Sequence, residues 1–188
     1  LIGMAALVAG FAMGKNDPAL ISQKIGELLR FVAPSVDQYE QVSVNPELVS
    51  LINDLSADSR GGVYFTMGGV FYADPKGVVT AYGENLRTNG LILSPDKKTL
   101  YVTNGQTIAA FDVRPDGSLA NQREFAKLPA GAGDGVTVDA AGRLYVTAGG
   151  GTGGAPGVQV FAPDGKHLGQ IPSPRNLITV AFSGPDKK

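Results

Sequence analysis

The sequence predicts an all-β fold built from repeated four-stranded units, and three observations predict it. First, self-similar stretches recur from residue 53 onward. Asn53-Asp54-Leu55 leads to Gly61-Gly62-Val63-Tyr64-Phe65-Thr66. Asn89-Gly90-Leu91 leads to Thr99-Leu100-Tyr101-Val102-Thr103, and Asp134-Gly135-Val136 leads to Arg143-Leu144-Tyr145-Val146-Thr147. Second, Tyr64, Tyr101 and Tyr145 recur about every forty residues, the period of a four-stranded blade. Third, 26 Gly and 12 Pro set among Val, Tyr and Thr mark many short strands joined by tight turns. Four short antiparallel strands per unit describe a β-propeller blade, and residues 53–188 hold about three of them.

The elements follow in chain order. Residues 1–14, from Leu1 to Gly14, are apolar or small throughout. That length is below the roughly twenty residues of a helical membrane span and matches the apolar core of a secretory signal. It predicts export, periplasmic or secreted over cytoplasmic; a buried or frayed helix is the other reading. A chain opening on Leu1 and ending inside a repeat reads as a piece of a longer reading frame. Residues 15–50 predict an amphipathic helix and a linker. Asp17-Pro18 suits a helix start. Ile21, Ile25, Leu28, Leu29 and Val32 then recur at helical spacing until Pro34, and residues 35–50 are polar and aperiodic.

Within the repeat, each unit opens on Asn or Asp, forms a short apolar strand, turns, and returns as an alternating strand ending on Thr. Two further strands follow in each unit: 69–73 and 78–82, 107–113 and 123–127, 158–161 and 167–171. Turns at Asp74–Gly77, Pro115–Gly117 and Pro163–Gly165 join them. A fourth unit opens at Val180. Propellers close with about four to eight blades, so an arc of about three exposes strand edges and apolar faces.

Composition narrows the chemistry. Sixteen basic and seventeen acidic residues give a net charge of −1, which argues against a nucleic-acid footprint. No Cys excludes disulfides and thiolate chemistry, and one His excludes a multi-His metal site. Gly149 to Gly154 satisfies a dinucleotide-binding pattern by letter, but Pro156 and a strand follow where such a site needs a helix. His167 lies in a hairpin turn. Asp58, Asp96 and Asp139 read as structural turn residues.

The first strand of each propeller blade lines the central channel. Asn53, Asn89 and Asp134 hold one equivalent position in three successive units, so three oxygen-bearing side chains converge at one channel mouth. Such oxygens suit a hard divalent cation. Asn and Asp also favour strand ends and turns, and spacing alone leaves both readings open.

These stretches resemble the senescence-marker-protein-30/gluconolactonase/luciferin-regenerating-enzyme family over residues 53–188. The likeness is carried by Thr88-Asn89-Gly90-Leu91-Ile92-Leu93-Ser94-Pro95-Asp96, by Gly133-Asp134-Gly135-Val136, by Gly142-Arg143-Leu144-Tyr145-Val146 and by Asn53-Asp54-Leu55 with Tyr64-Phe65-Thr66. The resemblance implies part of a six-bladed propeller with a divalent cation in its channel, commonly Ca²⁺, with Zn²⁺, Mg²⁺ or Mn²⁺ as alternatives. It implies Asn89 and Asp134 as metal ligands, Asp134 also as general base, and Asn53 and Asn89 as substrate-binding residues. The implied activity is opening of a small-molecule lactone or ester by metal-activated water. The family's Glu-Gly-Pro-like motif, which supplies a Glu ligand, is missing from the chain. Leu51 stands where the family often carries a basic residue. Fewer carboxylate ligands lower Ca²⁺ affinity, so a non-catalytic binding segment, or an inactive fragment of a longer lactonase, is the competing expectation.

Overall fold

The computed structural model describes residues 52–149 and 154–182. The segments 1–14 and 15–50, Gly150–Gly153 of the glycine-rich loop, and most of the fourth unit lie outside the described residues. Among the described residues all regular structure is β, in three four-stranded antiparallel sheets whose strands pair in chain order. The first sheet comprises β1 (Asp54–Ala57), β2 (Val63–Thr66), β3 (Val70–Ala73) and β4 (Val79–Tyr82). The second comprises β5 (Thr88–Leu93), β6 (Thr99–Asn104), β7 (Thr107–Val113) and β8 (Leu119–Lys127). The third comprises β9 (Gly133–Val138), β10 (Leu144–Ala148), β11 (Gly157–Phe161) and β12 (His167–Pro172).

Side-chain alternation decides how the sheets pack. In β6, Leu100 and Val102 join Tyr64, Val70 and Tyr72 of the first sheet in one core, while Tyr101 between them turns to the other face. In β7, Ala109 and Phe111 enter that same core, and Ile108 and Ala110 enter the core shared with Leu144, Val146 and Phe161 of the third sheet. The two-residue period of a strand thus sends alternate residues to opposite faces, and the second sheet is buried on both. The first strands stand together: β1 lies beside β5, and β5 beside β9. The outer strands β4 and β12 expose Val79, Leu168 and Ile171, and Val78 just before β4 is exposed too.

A polar latch fastens the first sheet to the second. Asp58 sits in the β1–β2 turn and accepts hydrogen bonds from the Gly62 amide at 2.8 Å, the Tyr72 hydroxyl at 2.8 Å and Arg60 Nε at 2.9 Å. Tyr64 donates to the Gly117 carbonyl at 2.8 Å in the second sheet. Burial alone would raise the Asp58 pKa, but the hydrogen bonds from Tyr72, Gly62 and Arg60 outweigh it and hold the carboxyl below its usual range. The third sheet carries a similar Asp-Arg-Tyr cluster within its own hairpin, with Asp139 paired to Arg143 Nε at 2.6 Å and to the Tyr145 hydroxyl at 3.2 Å.

The expected strand 123–127 begins earlier, at Leu119. Residues 121–124 are exposed and polar on this outer strand, so no alternation marks them as β. The register of β8 against β7 also shifts twice, which blurs the pattern further.

Candidate active site at the first strands

Asn89 lies in β5, Asp134 in β9, and Asn53 immediately before β1. The close approach of these strands has a local cause. Gly90 follows Asn89 and packs on the main chain of the third sheet, where a Cβ would collide with the Asp134 carbonyl oxygen. Gly135 follows Asp134 and packs in the same way against Ile178 and Thr179. The glycines after Asn89 and Asp134 let the following segment come in against the backbone.

Three buried threonines then fix the strand starts. Thr66 ends β2, Thr103 and Thr147 stand one residue before the ends of β6 and β10, and each is 0 % exposed. Thr66 donates to the Asn89 carbonyl, Thr103 to the Asp134 carbonyl at 3.0 Å, and Thr147 to the Ile178 carbonyl at 3.1 Å. The first and second sheets therefore hold the main chain of the candidate residue in the sheet that follows, and the third holds Ile178 in the same way. The Thr in the Tyr-apolar-Thr signature is the hydrogen-bond donor that sets the site.

The structure brings Asn89 and Asp134 together. Both are half-buried, the main chain of Asp134 lies against Gly90 next to Asn89, and the Asn89 side chain is near enough to lower the Asp134 pKa. Burial pushes the Asp134 pKa up, and the Asn89 contact offsets part of that rise. Asn53 is different: its side chain is exposed, and its main-chain N–H donates to the Thr66 carbonyl at 2.9 Å.

Two residues at this site escape the sequence reading. Asp54, next to Asn53, is half-buried and directs its carboxylate inward, where it accepts hydrogen bonds from the Leu91 amide at 2.9 Å and the Leu55 amide at 2.8 Å. Burial raises its pKa, the two amides pull it back, and the negative Asp134 raises it further. Its signal was available: Asp54 stands where the other repeats carry Gly90 and Gly135. The second residue is Ile178, whose carbonyl takes the place of those of Asn89 and Asp134 in the threonine series. Its side chain is 74 % exposed. An apolar residue at that position hides the match, so the repeat reads as opening at Val180.

The donor set suits a hard cation in kind, since Asn89 and Asp134 bring an amide oxygen and a carboxylate to one place. Among the described residues no group of three or more His, Asp or Glu side chains is gathered for a metal. A complete coordination shell therefore draws on water or on groups beyond these two. His167 opens β12, is exposed, and lies 2.7 Å from Gln159 Oε1, away from this pair.

A family profile described as the SMP-30/Gluconolactonase/LRE-like region matches residues 9–188. A gluconolactonase of Zymomonas mobilis is 31% identical over 179 residues, covering 79% of this chain and 47% of the relative. A pentonolactonase of Haloferax volcanii is 27% identical over 195 residues, covering 96% of this chain and 65% of the relative. The solved structure of a gluconolactonase from Xanthomonas campestris superposes with a TM-score of 0.61 at 33% identity, covering 70% of this chain and 50% of that one. The chain thus spans about half to two thirds of the length of these relatives.

Proposed function

Because this chain belongs to the SMP-30/gluconolactonase/LRE-like family, we propose that it carries part of the active site of a divalent-cation-dependent lactonase. In this reading the three sheets are successive blades of a six-bladed propeller. One observation carries the proposal: Asn89 and Asp134 stand at the starts of neighbouring first strands, each with its main chain fixed by a buried threonine. Two relatives are named for sugar-acid lactones, gluconolactonase and pentonolactonase, which makes a small lactone the proposed substrate class.

Asn89 and Asp134 would hold the cation, Ca²⁺ first among the candidates, which would supply Lewis-acid polarisation of the lactone carbonyl. The remaining chemistry belongs to the chain. Asp134, ionised, orients a water molecule and takes one of its protons as the oxygen attacks the carbonyl carbon. The ring C–O bond then breaks, the leaving oxygen receives the proton, and a hydroxy acid is released. Asn89 orients the Asp134 carboxylate through its amide. Asn53, exposed beside β1, donates to the substrate's hydroxyl or carbonyl oxygens. Export remains part of the proposal, resting on the apolar residues 1–14.

The test is hydrolysis of glucono-1,5-lactone followed by proton release, on the full chain, with Ca²⁺ present, after chelation and after Ca²⁺ is restored. Hydrolysis above the spontaneous rate that chelation abolishes and Ca²⁺ restores is expected. Turnover indifferent to chelation overturns the metal reading. Ca²⁺ binding without turnover supports the second reading, a non-catalytic binding segment, which is favoured by a pair of donors in place of a full carboxylate set.

A further inference from the structure

We propose that Asp54 is a positioning residue that holds Asn89 in place for the cation. This rests on the role given to Asn89 above. Asp54 and Thr66 grip one short segment at two points. Thr66 accepts the Asp54 amide hydrogen at 3.2 Å and donates its own hydroxyl hydrogen to the Asn89 carbonyl. The Asp54 carboxylate takes the amide of Leu91, two residues further on, at 2.9 Å. Between the two grips lies Gly90, with no side chain to restrict its backbone. Without the outer grip, Gly90 would leave the direction of the Asn89 side chain loosely set.

The arrangement is peculiar to this joint. At the joint between the second and third sheets Gly90 occupies the corresponding position, and the threonine works with no carboxylate beside it. Both Asp54 oxygens accept from backbone amides, of Leu91 and Leu55, and the Leu91 bond ties the carboxylate to the segment that carries Asn89. Its charge also faces Asp134 and makes the strand starts more negative, which favours a cation.

The test compares Asp54→Ala, Asp54→Asn and the control Asp58→Asn, which breaks the separate latch in the same sheet. Asp54→Ala is expected to shift the Asn89 side-chain amide resonances, to speed hydrogen exchange at the Leu91 amide, and to weaken Ca²⁺ binding by about tenfold or more, the usual effect of losing an outer-shell partner. Asp54→Asn keeps one acceptor oxygen and loses the charge, so its effects should be intermediate. Asp58→Asn should lower stability while leaving the Asn89 resonances and Ca²⁺ affinity as in the parent chain. Unchanged Asn89 resonances and Leu91 exchange in a folded Asp54 variant overturn the proposal. If Asp54→Ala does not fold, Asp54→Asn decides the question. A parent chain that binds no Ca²⁺ counts against the lactonase reading, and the resonance and exchange measurements on the ion-free protein still decide the role of Asp54.

Discussion

Thr103 donates its buried hydroxyl hydrogen to the main-chain oxygen of Asp134 at 3.0 Å. A threonine near the end of one repeat's signature strand in this way holds the candidate base of the next repeat. Thr103→Val keeps the shape and removes the hydroxyl. The Asp134 carbonyl then loses its partner, which costs about 1–3 kcal/mol. Urea unfolding should show that loss, and Ca²⁺ affinity should fall with it because the Asp134 backbone is released.

Gly90 tolerates no side chain. A methyl group there strikes the Asp134 carbonyl oxygen, and that backbone cannot yield without moving β9. Gly90→Ala should destabilise the chain by about 1–3 kcal/mol, in the range of overpacked sites. The shift should appear in the thermal midpoint, and Gly105→Ala, with nothing near its Cβ, separates crowding from backbone strain at a positive φ of 56°.

Tyr64 is buried and its hydroxyl reaches the Gly117 carbonyl of the neighbouring sheet. Burial pushes its pKa well above the usual tyrosine value, so it stays protonated as a donor throughout the neutral range. Tyr64→Phe should cost about 1–2 kcal/mol in chemical denaturation, the price of one buried carbonyl left without its donor.

Asp58 sets a pH dependence. Its folded pKa lies below the usual value, so its contribution to stability is complete above about pH 4 and is lost as the pH falls through the lower folded value. The thermal midpoint of the parent chain should therefore drop below about pH 4. Asp58→Asn should be less stable at neutral pH and should show a shallower acid limb.

Much of the fold was legible. The strand Thr107–Val113 stands where the sequence places it, because Ile108–Phe111 form an apolar run buried on both faces of the second sheet. The outer strand β8 was legible only in part, since exposed polar residues leave no period to read. At the site, repetition marks Asn89 and Asp134, and the family likeness gives them roles. Repetition cannot mark Asp54, because its importance lies in departing from the glycine of the other repeats. Nor can it mark Ile178, whose main chain repeats while its side chain does not.

Calorimetric titration of Ca²⁺ into the full chain and into Asp134→Asn tests the central claim most directly. Binding to the parent chain and its loss in the variant, with the fold retained, are expected. Binding that persists in Asp134→Asn, or no binding to the parent chain, would contradict a cation held by Asn89 and Asp134.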